Sequence, residues 1–290
     1  MHIRANQKIE CALYVVATPI GNLGDITLRA LDVLGAVAVV AAEDTRNTRH
    51  LLQHHGIGDA KLLALHQHNE RAGAEKIITL LQQGQSVALV TDAGTPAVSD
   101  PGALLVGAVH AAGFRVIPIP GASAAIAALS ASGLNAPHFL FYGFLPNKSA
   151  ARRAALHTLA DQTCTLVFYE APHRILDCVA DLHAIFGDGR EIVFAREITK
   201  LFESIHHCKL GEAMAWLNSD PNNQRGEFVL LISGAAPRDE DMDAQAERVL
   251  SALLNELPLK QAVGLAVQIT GINKNALYER ALALKQDVSQ

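Results

Sequence analysis

Short apolar runs alternate with longer stretches rich in alanine and leucine. Leu13-Tyr14-Val15-Val16-Ala17 precedes a helical stretch over Leu28 to Leu34, and Ala36 to Ala41 is again short and apolar. This is the rhythm of an α/β unit. Val87 to Val90 ends in the turn-rich Thr91-Asp92-Ala93-Gly94-Thr95-Pro96, and Phe114 to Ile119 ends in Pro120-Gly121-Ala122-Ser123. Small residues after a strand let the backbone approach a ligand closely, and ligands of open α/β sheets sit beyond the carboxyl ends of strands. The three loops that follow the strands at Val16, Val90 and Ile119 therefore converge on one expected site.

The segment Ser132-Gly133-Leu134-Asn135-Ala136-Pro137 reads as a linker. After it, strands are expected at Phe139 to Phe144, Thr165 to Tyr169, Glu191 to Ala195 and Phe228 to Ile232, with helices around Ile175 to Phe186 and Gly211 to Leu217. Ala235 to Asp243 is acidic and contains proline; beyond it two amphipathic helices, Leu259 to Ile269 and Asn273 to Leu284, flank Thr270-Gly271 with helix-turn-helix spacing. The pattern predicts an N-terminal α/β domain over residues 1–133, a second over 134–236 and a small helical domain over 237–290.

The 290 residues are 50% hydrophobic and 18% charged, enough to bury a sizeable core. A formal net charge of -5 means that affinity for a polyanion must come from a local patch. Cys11, Cys164, Cys178 and Cys208 form no CxxC pair, which leaves neither a zinc knuckle nor a disulfide framework. No apolar run is long enough for a membrane span and Met1 to Glu10 has no signal-like core, so a cytoplasmic protein is expected. GxxG at Gly21 and Gly24 is not the Rossmann fingerprint, and no Gly-Lys-Ser/Thr follows a glycine-rich turn, which disfavours nucleotide hydrolysis. Alone, that GxxG is equally a tight turn.

Longer strings are more specific. Ala17-Thr18-Pro19-Ile20-Gly21-Asn22-Leu23-Gly24-Asp25, Ala42-Glu43-Asp44-Thr45-Arg46, Thr91 to Gly102, Pro120 to Ala124, Phe168-Tyr169-Glu170-Ala171-Pro172-His173-Arg174, Arg196 to Lys200 and Gly226-Glu227-Phe228 stand in order along the chain. In these strings the sequence resembles the ribosomal RNA small subunit methyltransferase I family, over about residues 13 to 234 and again in the tail. The resemblance implies the two-domain tetrapyrrole-methylase type of fold, S-adenosylmethionine held between the α/β domains, a homodimer and no metal. It also implies that a cytidine ribose 2′-hydroxyl in the decoding region of 16S rRNA, presented on the 30S subunit, is the acceptor. Carried over by position, cofactor contacts fall on Pro19, Gly21, Asp92, Ala93, Gly94, Thr95, Ser123, Ala124, Phe168, Tyr169, Gly226 and Glu227.

Methyl transfer to a hydroxyl is helped by a carboxylate, or by a lysine of lowered pKa, that removes the proton. Glu170, Glu197 and Lys200 follow expected strand ends and are the candidates; the alternatives are a Glu170–Arg174 pair and ion pairs of Glu197 with Arg196 or Lys200. His173 is either an acid or base or, by preference, a helix-start residue packing its ring, and His66, His68, Asn69 and Glu70 read as loop structure or substrate contact more than a metal site. Asp44 and Arg46 are either an ion pair or part of the RNA-facing cleft, and Lys148, Arg152, Arg153 and Arg174 either touch phosphates or form a solvated face. In the tail, Lys260, Lys274, Arg280 and Lys285 nearly balance Glu256, Glu279 and Asp287, which favours packing or docking over groove reading. Two other readings are a small-tetrapyrrole methylase and a non-catalytic ribosome-assembly factor. The Asp-Thr-Arg and Pro-His-Arg strings argue against the first; the second predicts subunit binding without methyl transfer.

Overall fold

The computed structural model describes residues 9–66, 69–135, 137–236 and 239–287. Residues up to Gly234 form one compact unit and those from Ala235 another. The first unit holds two five-stranded sheets.

In the first sheet β1 (Leu13–Val16), β2 (Val39–Ala42), β3 (Leu62–Ala64), β4 (Val87–Val90) and β5 (Val116–Ile119) run parallel in the order β3-β2-β4-β1-β5. β2 and β4 are buried throughout because helices cover both faces. Alternate residues serve opposite sides. Leu13, Val39, Ala41, Val87 and Leu89 pack with Ile77 and Leu81 of α3 (Glu70–Gln82) and with Leu105 and Val109 of α4 (Ala103–Ala111). Tyr14, Val16, Val40, Ala88 and Val90 pack with Val33 and Leu34 of α1 (Leu28–Ala36) and Leu52 of α2 (Thr45–His54).

The second sheet, β6-β7-β10-β8-β9, is mixed: β6 (Phe139–Phe144) is parallel to β7 (Thr165–Glu170), whereas β10 (Phe228–Ile232), β8 (Glu191–Arg196) and β9 (Ser204–Lys209) join antiparallel. Leu166, Phe168, Ile192, Phe194, Leu230 and Ile232 face α6 (Ser149–Leu159), α7 (Ile175–Phe186) and α8 (Leu210–Ser219). The opposite face, Val167, Val193, Ala195, Val229 and Leu231, is covered by Ala125 and Ala128 of α5 (Ala124–Ala131). A helix that follows β5 of the first sheet thus seals the second, which binds the two sheets into one unit.

From Ala235 onward, α9 (Asp239–Glu256), α10 (Leu259–Thr270) and α11 (Lys274–Asp287) bury Ala246, Leu250, Val263, Ala266, Leu277 and Ala281 against each other. Helix α9, which the sequence pattern did not name, begins inside the acidic, proline-containing segment; the apolar positions at Ala246 and Leu250, four apart, carry it. No helix among the described residues is long and apolar enough to cross a membrane.

One expectation is corrected in the core. Arg152 is not a surface cation: its side chain is only 3% exposed, and its Nε donates to Asp181 Oδ2 at 2.7 Å while Ser149 Oγ donates to the same carboxylate. Arg153, next in sequence, faces solvent. Truncating one partner of a buried pair strands the other charge at a cost of about 3–5 kcal/mol, whereas replacing both by apolar residues is often near neutral. Arg152→Leu is expected to lower unfolding free energy by about 3 kcal/mol or more, and Arg152→Leu with Asp181→Leu to recover most of it, as read from urea midpoints.

Candidate active site

The carboxyl ends of β1 and β4 are tied together. Thr18 N–H donates to Gly94 O at 2.9 Å and Gly94 N–H to Thr18 O at 3.0 Å, while Thr18 Oγ1 donates to Thr91 O. Gly94 holds φ of +79°, a conformation costly for a residue with a Cβ. Across from these loops lie the ends of β7 and β10. Between them is a cavity of about 320 Å³, lined from the first sheet by Ile20, Ala93, Gly94, Thr95, Val98 and Asp100. Phe144, Tyr169, Lys200, Glu227 and Val229 line it from the second, with Ser123 and Ala124 at the start of α5. Tyr169 Oη accepts the N–H of Ala125, one of the donors a helix start leaves unpaired. Its ring meets Phe141 and Phe144 edge-on at 5.0 and 5.5 Å.

Two loops of the cavity wall are held in left-handed backbone. Among the described residues the non-glycine positions with positive φ are Ala97 (66°), Ser99 (63°), Glu197 (51°) and Thr199 (66°). Such residues cost roughly 1–3 kcal/mol each and cluster where function fixes the backbone. The first loop is anchored by Glu70, whose Oε1 accepts the N–H groups of Gly102, Leu104 and Leu105 at the start of α4. Glu70 is thereby a structural cap, and Asn69 closes the adjoining loop by accepting the His66 N–H. His68 lies outside the described residues.

Charge in the cavity has two sources. Asp100 is a half-buried carboxyl pushed up to about 6 by burial and then by the Glu43 and Asp92 carboxylates, against a hydrogen bond from Thr91. Lys200 Nζ is held at 2.8 Å from both Glu197 Oε1 and Glu227 Oε2. Burial alone lowers its pKa, but the hydrogen bonds to these carboxylates outweigh burial and the net shift is upward. The lowered pKa that a lysine base requires is thus corrected: Lys200 is a retained cation. Glu197 also accepts the Glu227 N–H, so it braces Lys200. Gly21 lies against that lysine; a Cβ there would stand 2.4 Å from Lys200 Cγ. Gly226 lies in the same way against the Glu197 side chain.

Other expectations separate. Phe168 is fully buried in the helix-facing core, because strand alternation sends Tyr169 to the cavity and Phe168 away from it. Glu170, though in the cavity wall, has a fully buried side chain that pairs with Arg174 at 3.2 Å and accepts the Ala171 N–H, which leaves it no exposed atom to meet an acceptor. Arg174 also donates to Leu145 O and Asn147 Oδ1, so it is a brace and not a free phosphate ligand. His173 is exposed in the short turn before α7, so its ring is not packed as expected. Lys148 precedes α6, away from the residues that line the cavity. Pro19 and Asp92 face a neighbouring cavity: Asp92 accepts the Asp44 N–H and the Asn47 amide, each at 3.1 Å. Asp44 caps α2 and pairs with Arg46 at 2.7 Å. Asp100, Val98, Phe144 and Ile198 were not singled out from sequence, although Val98, Asp100 and Ile198 lie within its distinctive strings. Among the described residues no group of three or more His, Cys, Asp or Glu side chains is arranged to hold a metal.

Residues 12–214 match the family described as Tetrapyrrole (Corrin/Porphyrin) Methylases, and residues 240–285 match the RsmI C-terminal HTH domain. The chain is 53% identical over 270 residues to ribosomal RNA small subunit methyltransferase I of Escherichia coli O157:H7, covering 93% of this chain and 94% of that one. It is 53% identical over 272 residues to the protein of that name from Pseudomonas aeruginosa, covering 93% and 96%. Among solved structures, the methyltransferase CobJ has a TM-score of 0.58 at 22% identity, covering 78% of this chain and 95% of that one. Uroporphyrin-III C-methyltransferase from Thermus thermophilus, complexed with S-adenosyl homocysteine, has a TM-score of 0.50 at 20% identity, covering 77% and 97%. The chain therefore belongs to the ribosomal RNA small subunit methyltransferase I family, a methyltransferase family built on the tetrapyrrole-methylase fold.

Proposed function

We propose that this chain methylates the ribose 2′-hydroxyl of a cytidine in the decoding region of 16S rRNA, using S-adenosylmethionine bound in the cavity between the two sheets. The observation that carries the reading is identity of 53% across 93% of the chain with methyltransferases named for small-subunit rRNA. The small ribosomal subunit is the proposed partner, a homodimer the proposed state and the cytoplasm the proposed location.

The cavity residues fit the cofactor. Asp100 is a carboxylate whose pKa is raised by burial and then by the Glu43 and Asp92 carboxylates, and S-adenosylmethionine carries positive charge at its sulfonium and ammonium groups. Tyr169 and Phe144 offer aromatic surface for a purine, and the left-handed loops let backbone approach closely. Bound there, S-adenosylmethionine supplies an electrophilic methyl group, so positioning and electrostatics govern the rate. Lys200, held charged by Glu197 and Glu227, stabilises the negative charge that develops on an acceptor oxygen as its proton passes to solvent water. Of the residues expected to act as a base, Glu197 positions that ammonium and Glu170 holds the wall through Arg174.

Purified, unmodified small subunits incubated with labelled S-adenosylmethionine should yield labelled 2′-O-methylcytidine after nuclease digestion and mass spectrometry. Transfer to a base, or none to the subunit or to free rRNA, would refute the assignment.

A second prediction concerns pH. Asp100 is ionised above about 6, so cofactor affinity should be full at neutral pH and fall as pH drops through that value, by about tenfold for each unit below it. Asp100→Asn should bind weakly and flatten this dependence in calorimetry; an unaltered profile would remove Asp100 from the site.

Lys200→Ala is expected to lower kcat by about 100-fold. Glu170→Gln should mainly lower the thermal midpoint. Single-turnover rates alongside melting curves separate the two, and equal kcat losses would count against the division of roles.

A further inference from the structure

A second cavity, of about 330 Å³, opens on the other side of the β1 and β4 loops, where Pro19, Leu23, Asn47, His50, His54 and Asp92 face it. The bridge between Thr18 and Gly94 is the shared wall. Pro19 and Asp92 face this cavity, whereas the next residue of each loop, Ile20 and Ala93, faces the other.

Its outer side is α2. From Thr45 to His54 this helix carries Arg46, Arg49, His50 and His54 and no carboxylate, in a chain whose net charge is -5. Arg46 is 84% exposed although it pairs with Asp44, and Arg49 faces solvent. The helix thus supplies the local positive surface that a polyanion needs against an adverse overall charge. Within the cavity, Pro19, Leu23 and Leu51 give an apolar surface, and the imidazoles of His50 and His54 offer ring nitrogens able to donate or accept.

We infer that this second cavity receives the acceptor nucleotide of an RNA strand, its base against Pro19 and Leu23 with its edge toward His50, His54 and Asn47, and the flanking phosphates on Arg46 and Arg49. The inference rests on the rRNA methyl-transfer reading and names the site of that substrate. Sequence-specific RNA recognition takes unstacked bases in single-stranded segments and reads their edges, which is what a polar-rimmed pocket of nucleoside size can do. On this placement the ribose reaches past the Thr18–Gly94 bridge to bring its hydroxyl to the methyl group. Asp92, tied to the Asp44 N–H and the Asn47 amide, fixes the helix start against that wall.

The test uses the whole chain, purified unmodified small subunits and labelled S-adenosylmethionine. A His50→Ala/His54→Ala double variant removes the edge contacts, Leu23→Trp fills the pocket, and both positions are exposed, so folding should survive. Each is expected to raise KM for the subunit at least about tenfold while the S-adenosylmethionine Kd stays within about twofold, and glutamine at both histidines should restore part of the loss. Arg49→Gln should reduce the slope of log KM against log salt by about one. An unchanged KM in both pocket variants would overturn the placement, as would a parallel loss of cofactor affinity, which would make the cavity part of the cofactor site. If the wild-type chain methylates no ribosomal RNA, the underlying reading fails, and that failure appears before any variant is tested.

Discussion

Helix α5 leaves the first sheet at Ser123 and lays Ala125 and Ala128 on Val167, Val229 and Leu231 of the second, and this apolar contact sets how near the cavity-facing edges of the two sheets come. Alanine permits a close approach; a larger side chain would lift the helix and open the cavity. Because the same helix start carries Ser123 and Ala124 in the cavity wall and gives its Ala125 N–H to Tyr169, packing and binding surface are one arrangement. The cavity is in this sense a by-product of how the two sheets are joined.

Electrostatics then divides that pocket. Asp100 is contributed by a loop of the first sheet and Lys200 by a loop of the second, and each has its own supporting charges: Glu43 and Asp92 behind one, Glu197 and Glu227 behind the other. The acidic side is strained by like charge, whereas the basic side is satisfied. A ligand that brings positive charge to Asp100 relieves the first without disturbing the second, so selectivity for a cationic molecule arises from imbalance already present in the protein.

Much of the fold is legible in the chain. Val87–Val90, Phe228–Ile232 and Ile175–Phe186 are continuous apolar or helical-period segments with turn residues at their ends, and they form where the pattern puts them. Among the elements the pattern did not name, some resisted for local reasons: β3 is only three residues long, β9 (Ser-Ile-His-His-Cys-Lys) is a short edge strand without a clear apolar run, and α9 starts among acidic residues. In the site, the loops were readable from small residues after strands, but the direction of each side chain was not. Phe168 and Tyr169 differ by one strand position, and Arg152 and Arg153 by one helical step; only the packed structure decides which of each pair is inside. Asp100 gains its character from burial first and then from the Glu43 and Asp92 carboxylates, which only the fold brings beside it.

The left-handed residues at 97, 99, 197 and 199 carry a consequence for variation in this protein. Glycine at Ala97, Ser99 or Thr199 would relieve strained backbone while loosening a loop that borders the cavity, whereas at Glu197 it would also remove the brace on Lys200. Selection for thermal robustness alone would therefore drift toward glycine at these positions and erode turnover. Their persistence as Ala, Ser, Glu and Thr would mark lineages in which chemistry, not endurance, sets the limit.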